Sequence, residues 1–76
     1  MRIDYVDLDE GNTPHVTRHG VTEFEVYAAF DTKPSVRRNK GDGTAGYYIV
    51  ANGIRVNFVY DAEGRAARPI SAWRMR

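Results

Sequence analysis

Two runs rich in β-branched and aromatic residues, Tyr47 to Ala51 and Ile54 to Tyr60, are separated by the dipeptide Asn52-Gly53. Asparagine and glycine both tolerate left-handed backbone, so the pair predicts a hairpin with a two-residue turn. Such a turn also fixes register. Ala51 must oppose Ile54, Ile49 oppose Val56 and Tyr47 oppose Phe58, so these six share one face and suit a core. The opposite face then carries Tyr48, Val50, Arg55, Asn57 and Val59 as an open, mixed surface.

The chain continues with Asp61-Ala62-Glu63-Gly64, aspartate first and glycine fourth, which predicts a type I turn with a glycine bulge and a third strand from Arg65 to about Trp73. A three-residue loop directs Ile70 and Ala72 to the core and leaves Ser71 and Trp73 beside Arg55 and Asn57. It also puts Arg68 on the core side, where the long side chain must reach past the sheet edge to keep its charge in water. A four-residue loop would exchange these faces.

The N-terminal half has helix punctuation. Thr13 is a cap and Pro14 a first helical residue, so a short helix is expected to run to His19, with Gly20 as its left-handed stop. Thr22-Glu23-Phe24-Glu25 has capping-box spacing, and Phe24, Tyr27, Ala28 and Phe30 follow as an apolar stripe read as core. Pro34 blocks further helix. Asn39 to Gly46, rich in glycine, lysine and aspartate, reads as a mobile connection between strands, while Arg2 to Leu8 suits an edge strand or ordered coil. The fold class expected is α+β: two short N-terminal helices packed on one face of an antiparallel β-meander.

At 76 residues the chain has room for one domain, residues 1–76, and its 42% hydrophobic content suffices for a packed core. The absence of cysteine removes disulfides and thiolate metal sites and makes the cytoplasm the expected compartment. No stretch reaches the ~18 apolar residues of a membrane span, and Met1-Arg2-Ile3-Asp4-Tyr5 lacks the apolar core of a signal peptide, so a soluble, unprocessed protein is expected with no membrane partner. The net charge of +1 is too small to announce a nucleic-acid binder, but Arg65, Arg68, Arg74 and Arg76 follow Glu63 with no further carboxylate.

Among possible chemistries, His15 and His19 have metal-compatible spacing but no third ligand at a fixed interval, and no metal or other cofactor is expected. Ser35 and Ser71 lack a glycine-flanked elbow, and neither a phosphate loop nor a dinucleotide fingerprint is present. His19 reads either as a helix-terminal residue capping carbonyls or as an acid/base group. What remains is a combination of arginines and rings, Tyr48, Arg55, Asn57, Trp73, Arg74 and Arg68. It suits RNA, since guanidinium groups grip phosphates and rings stack on unpaired bases, and it equally suits a protein partner.

The string His15-Val16-Thr17-Arg18-His19-Gly20-Val21 leading into Glu23-Phe24-Glu25-Val26, followed by a hairpin and by Pro69-Ile70-Ser71-Ala72-Trp73-Arg74, resembles the BrnT family of toxin ribonucleases. Trp73 stands where that family usually has an arginine, with Arg74 one place later. The resemblance implies a RelE-like architecture and a type II toxin–antitoxin toxin that cuts RNA without a metal. Its implied partner is a small BrnA-like, ribbon–helix–helix antitoxin. It further implies catalytic roles for His19, Arg55 and Arg74 and RNA contacts from Tyr48, Asn57, Arg68 and Trp73. The alternative is a non-catalytic, degenerate toxin-like module that only binds an antitoxin or another protein.

Overall fold

The computed structural model describes residues 1–41 and 43–75. Its elements in chain order are β1 (Tyr5–Val6), α1 (Thr13–Val16), α2 (Glu23–Asp31), β2 (Arg37–Arg38), β3 (Tyr47–Ala51), β4 (Ile54–Asp61) and β5 (Ala66–Arg74). The five strands form one sheet in the order β1-β5-β4-β3-β2. The architecture is α+β, as the residues suggested, but the sheet is mixed: β1 runs parallel to β5 through Tyr5↔Ala66 and Val6↔Ala67, while every other pairing is antiparallel. The expectation of a purely antiparallel meander is corrected by this two-residue edge strand, whose shortness hides any alternation.

The β3–β4 hairpin has the expected register, with Ala51↔Ile54, Ile49↔Val56 and Tyr47↔Phe58 paired. Asn52 and Gly53 both take positive φ, 53° and 76°, which gives the turn the twist its strands need. Ile49, Ile54, Val56 and Phe58 are fully buried beneath the helices, and Tyr47 is half-buried with its ring stacked on Phe58.

The last strand combines both anticipated registers. Asp61 pairs with Ala66, so the loop has four residues and Arg65 (φ 50°), not Gly64, takes the left-handed position. The first half of β5 therefore sends Ala67 and Pro69 to the core and Arg68 to the open face beside Val59, correcting the core-side placement of Arg68. A shift then falls between Asn57 and Phe58, where Ile70 is the extra residue, and Ser71, Ala72 and Trp73 end up opposite Asn57, Val56 and Arg55. Pro69 explains the position of the shift, since a residue without an amide donor is tolerated at a bulge. Ile70 is consequently half-buried rather than core.

Helix α1 is shorter than expected. Asn12, not Thr13, precedes its first helical residue, and the helix ends at Val16, leaving His19 in the following turn. Asn12 does not cap with its side chain. That side chain is buried and accepts from the Asp9 amide (2.8 Å) while donating to the carbonyls of Asp7 (2.8 Å) and Pro69 (3.0 Å), which ties the N-terminal arm to β5. Gly20, at φ 86°, makes the reversal between helices.

Helix α2 has the full capping box: Thr22 Oγ1 accepts from the Glu25 amide and Glu25 Oε1 accepts from the Thr22 amide, each at 3.1 Å. Its rotation differs from expectation. Val26, Ala29 and Phe30 face the core, with Phe30 edge-on to Phe58 at 5.3 Å, whereas Phe24 is 80% and Tyr27 41% exposed. Residues 24/27/28 and 26/29/30 have identical i, i+3, i+4 spacing, so periodicity alone does not choose between them. The core takes the 26/29/30 stripe, which seats Phe30 against Phe58, and Glu25 beside it reaches Arg74 of β5. Among the described residues no helix is long and apolar enough to cross a membrane.

Candidate functional site

Pairing along β4 puts Arg55 and Asn57 on the sheet face away from the helices, with Tyr48 of β3 and Ser71 and Trp73 of β5 as neighbours on that face. Cross-strand position then determines the contacts. The Arg55 guanidinium carbon lies 3.7 Å from the Tyr48 ring centre and 5.5 Å from the Trp73 ring centre. Each contact is a cation–π attraction of about 0.5–2 kcal/mol, and together they hold a flexible side chain in one place.

Asn57 fixes the other end of that arginine. Its Oδ1 accepts from Arg55 Nε (3.2 Å) and from Asn39 Nδ2 (3.0 Å), and its Nδ2 donates to Ser71 Oγ (3.1 Å). Asn57 is only 4% exposed, so its amide is spent on this network, and among the described residues nothing accepts a hydrogen bond from Nη1 or Nη2 of Arg55. Among the described residues Arg55 has no carboxylate at ion-pair distance. A depression of about 310 Å³ opens here, bounded by Arg55, Asn57, Ser71 and Trp73 of the sheet and by Asn39 and Thr44 of the 39–46 loop. Asn39 anchors that loop through its amide, which donates to the Gly46 carbonyl at 2.9 Å. The expectation of a mobile loop falls partly on Asp42, which lies outside the described residues.

Tyr48, Arg55, Asn57 and Trp73 are thus brought together, whereas Arg68, Arg74 and His19 are not part of the cluster. Arg68 shares the open face but is engaged by Asp7 (3.1 Å) and Asp9 (2.9 and 3.1 Å) at the β1 edge. The Asp9 carboxyl is held below the ordinary carboxylate range, first by the Arg68 hydrogen bond and then by the Gly11 amide. Arg68 therefore fastens the N-terminal arm.

Arg74 pairs with Ile54 and so projects to the helix side. There it grips Glu25 in a bidentate bond (2.6 and 2.9 Å) and donates to the Gly20 carbonyl (3.1 Å). This bond, with the Thr22 amide next in effect, lowers the Glu25 carboxyl from 4.5 to about 2. His19 adjoins Gly20, is exposed, and makes no side-chain hydrogen bond among the described residues, so the expected capping of carbonyls is not observed.

Two contributors to the open face were missed. Arg37 sits directly opposite Tyr48 and so shares its face, and Asn39 completes the amide network. A two-residue strand carries no alternation from which to read Arg37. Asn39 sits in a glycine-rich segment with no regular spacing, and nothing local to it signals a partner on β4.

Comparison with family models finds no match, nor does comparison with curated proteins or with solved structures.

Proposed function

We propose that this chain is a toxin of the type II toxin–antitoxin kind that engages single-stranded RNA on its open sheet face and cleaves it without a metal, in the cytoplasm. A small ribbon–helix–helix antitoxin is its proposed partner. The observation that carries the reading is Arg55, clamped between Tyr48 and Trp73 with its Nη groups unspent on any described residue. An arginine fixed in this way suits a phosphate oxygen, and the flanking rings suit unpaired bases. The order of two helices followed by an antiparallel meander supports the resemblance to the BrnT family.

The chemistry would be attack of a 2′-hydroxyl on its own adjacent phosphorus, its proton passing to solvent water, with the 5′-oxygen expelled as a protonated hydroxyl and a 2′,3′-cyclic phosphate left on the upstream fragment. Arg55 would stabilise the charge developing on the phosphoryl oxygens. Tyr48, whose ring lies under the Arg55 guanidinium, would offer its hydroxyl as the proton donor to the leaving oxygen.

A specific observation favours the second reading, a binding module without catalysis. Arg74 is spent on Glu25 and Gly20 on the helix side, and His19 adjoins that site rather than Arg55, so neither stands with the clamped arginine. Incubating purified protein with single-stranded RNA in the presence of a chelator separates the two. The toxin reading predicts cleavage that survives chelator, ends in 2′,3′-cyclic phosphate, leaves DNA intact and falls roughly ten- to a hundredfold in Arg55→Ala, the equivalent of one charge-assisted contact. No cleavage at any protein concentration, with an antitoxin or other protein partner still bound, replaces it with the binding module.

A further inference from the structure

Helix α2 is apolar on both sides, and only one of them is used by the core. Val26, Ala29 and Phe30 are buried, while Phe24 is 80% and Tyr27 41% exposed one turn apart on the other side, with half-buried Ala28 completing an i, i+3, i+4 ridge. A helix of this kind ordinarily buries both sides. Phe24 does not cap the helix and belongs neither to the core cluster nor to the half-buried residues packed on it.

Carboxylates stand at both ends of this ridge. Glu23 precedes Phe24 and Asp31 lies two turns further along, and beside the start of the helix a depression of about 430 Å³ is bounded by Leu8, Glu10, Pro14 and Glu23. Among the described residues Glu10, Glu23 and Asp31 have no cation at ion-pair distance, in contrast to Asp7, Asp9 and Glu25.

We infer that the outer face of α2, centred on Phe24 and Tyr27 and fringed by Glu10, Glu23 and Asp31, is a docking surface for a basic amphipathic helix of a partner protein. Apolar side chains of that helix pack on the aromatic ridge, as ridges seat between helices, and its lysines or arginines meet the three carboxylates. The charge selects this occupant over the others. Phosphates of a nucleic acid would be repelled by the same carboxylates, and a second copy of α2 would bring Glu23 and Asp31 against their own kind. The surface lies across the sheet from Arg55, so the inference stands independently of the RNA reading and is tested without RNA.

The probe is a fluorescein-labelled peptide of about fourteen residues, roughly four helical turns, built of leucine and lysine with leucines at i, i+3, i+4 and i+7. Anisotropy should show saturable binding to the full chain that weakens with salt, weakens about tenfold in Phe24→Ala and weakens again in Glu23→Lys. Phe24 is outside the core, so its variant should keep the wild-type melting temperature; if it does not, Tyr27→Ala takes its place. A peptide with glutamate in place of lysine should not bind. Absence of saturable binding overturns the inference, as does equal binding by wild type and variants or by the two peptides. Sedimentation showing a wild-type dimer that Phe24→Ala dissolves assigns the face to a second copy and also overturns it.

Discussion

Arg55 is held in place by groups from three strands and a loop: Tyr48 below, Trp73 beside, and Asn57 at Nε, with Asn57 braced in turn by Asn39 and Ser71. Every polar atom of the Asn57 side chain is satisfied, in a position where an unpaired amide would be costly. Asn57→Ala should therefore lower stability by about 1–3 kcal/mol in urea denaturation, because it strands partners on both sides of the sheet face. The Glu25–Arg74 pair makes a different prediction. The folded state holds this carboxyl ionised far below its ordinary value, 4.5 against about 2, so its contribution to stability is complete above about pH 4.5 and is lost as the pH falls toward 2. Glu25→Gln keeps an acceptor for the capping box but removes the charge. The melting-temperature gap between wild type and Glu25→Gln should be open at neutral pH and close over that acid window, whereas a gap independent of pH would show the ion pair to be idle.

At the scale of elements, the end of α2 is a place where the chain departs from its best local solution. Lys33 follows the C-cap Thr32 with φ 53°, and its amide donates to the Phe30 carbonyl at 3.0 Å. Glycine is the residue that position favours. Lys33→Gly should raise stability by roughly 0.5–1 kcal/mol, the left-handed penalty less the added chain entropy, measured by thermal unfolding. The β3–β4 hairpin was legible because Asn52-Gly53 dictates geometry locally and two-residue turns leave no freedom in register. The capping box was legible for the same reason. Helix rotation was not, because α2 offers two equivalent apolar stripes and the packing that distinguishes them, Phe30 against Phe58, is made with a residue distant in sequence. The fate of β5 was half legible: a loop length and a compensating bulge cancel beyond Ile70, so Trp73 falls beside Arg55 as expected while Arg68 changes face. The cluster of Tyr48, Arg55, Asn57 and Trp73 could be read from alternation alone. The same alternation turns Arg74 away from Trp73, to the helix side, whereas the separation of His19 could not be read, since it depends on where a four-residue helix stops.

At the scale of the molecule, the sheet divides two surfaces of opposite character. One presents Arg37, Arg55, Tyr48 and Trp73, and the other, beyond α2, presents Phe24 and Tyr27 among carboxylates. A net charge of +1 gives the whole chain little general attraction for polyanions, so the proposed affinity for RNA would have to come from the first surface in particular. The most direct measurement is therefore the affinity of labelled single-stranded RNA for the wild-type chain and for Arg55→Ala and Arg55→Lys, titrated in chelator at several salt concentrations. The account predicts saturable, salt-sensitive binding to the wild type, a roughly ten- to a hundredfold loss in Arg55→Ala, and only partial recovery in Arg55→Lys, because a point charge does not reproduce a guanidinium seated between two rings. Binding of RNA that is unchanged by Arg55→Ala, or no binding by the folded wild-type chain, would contradict it.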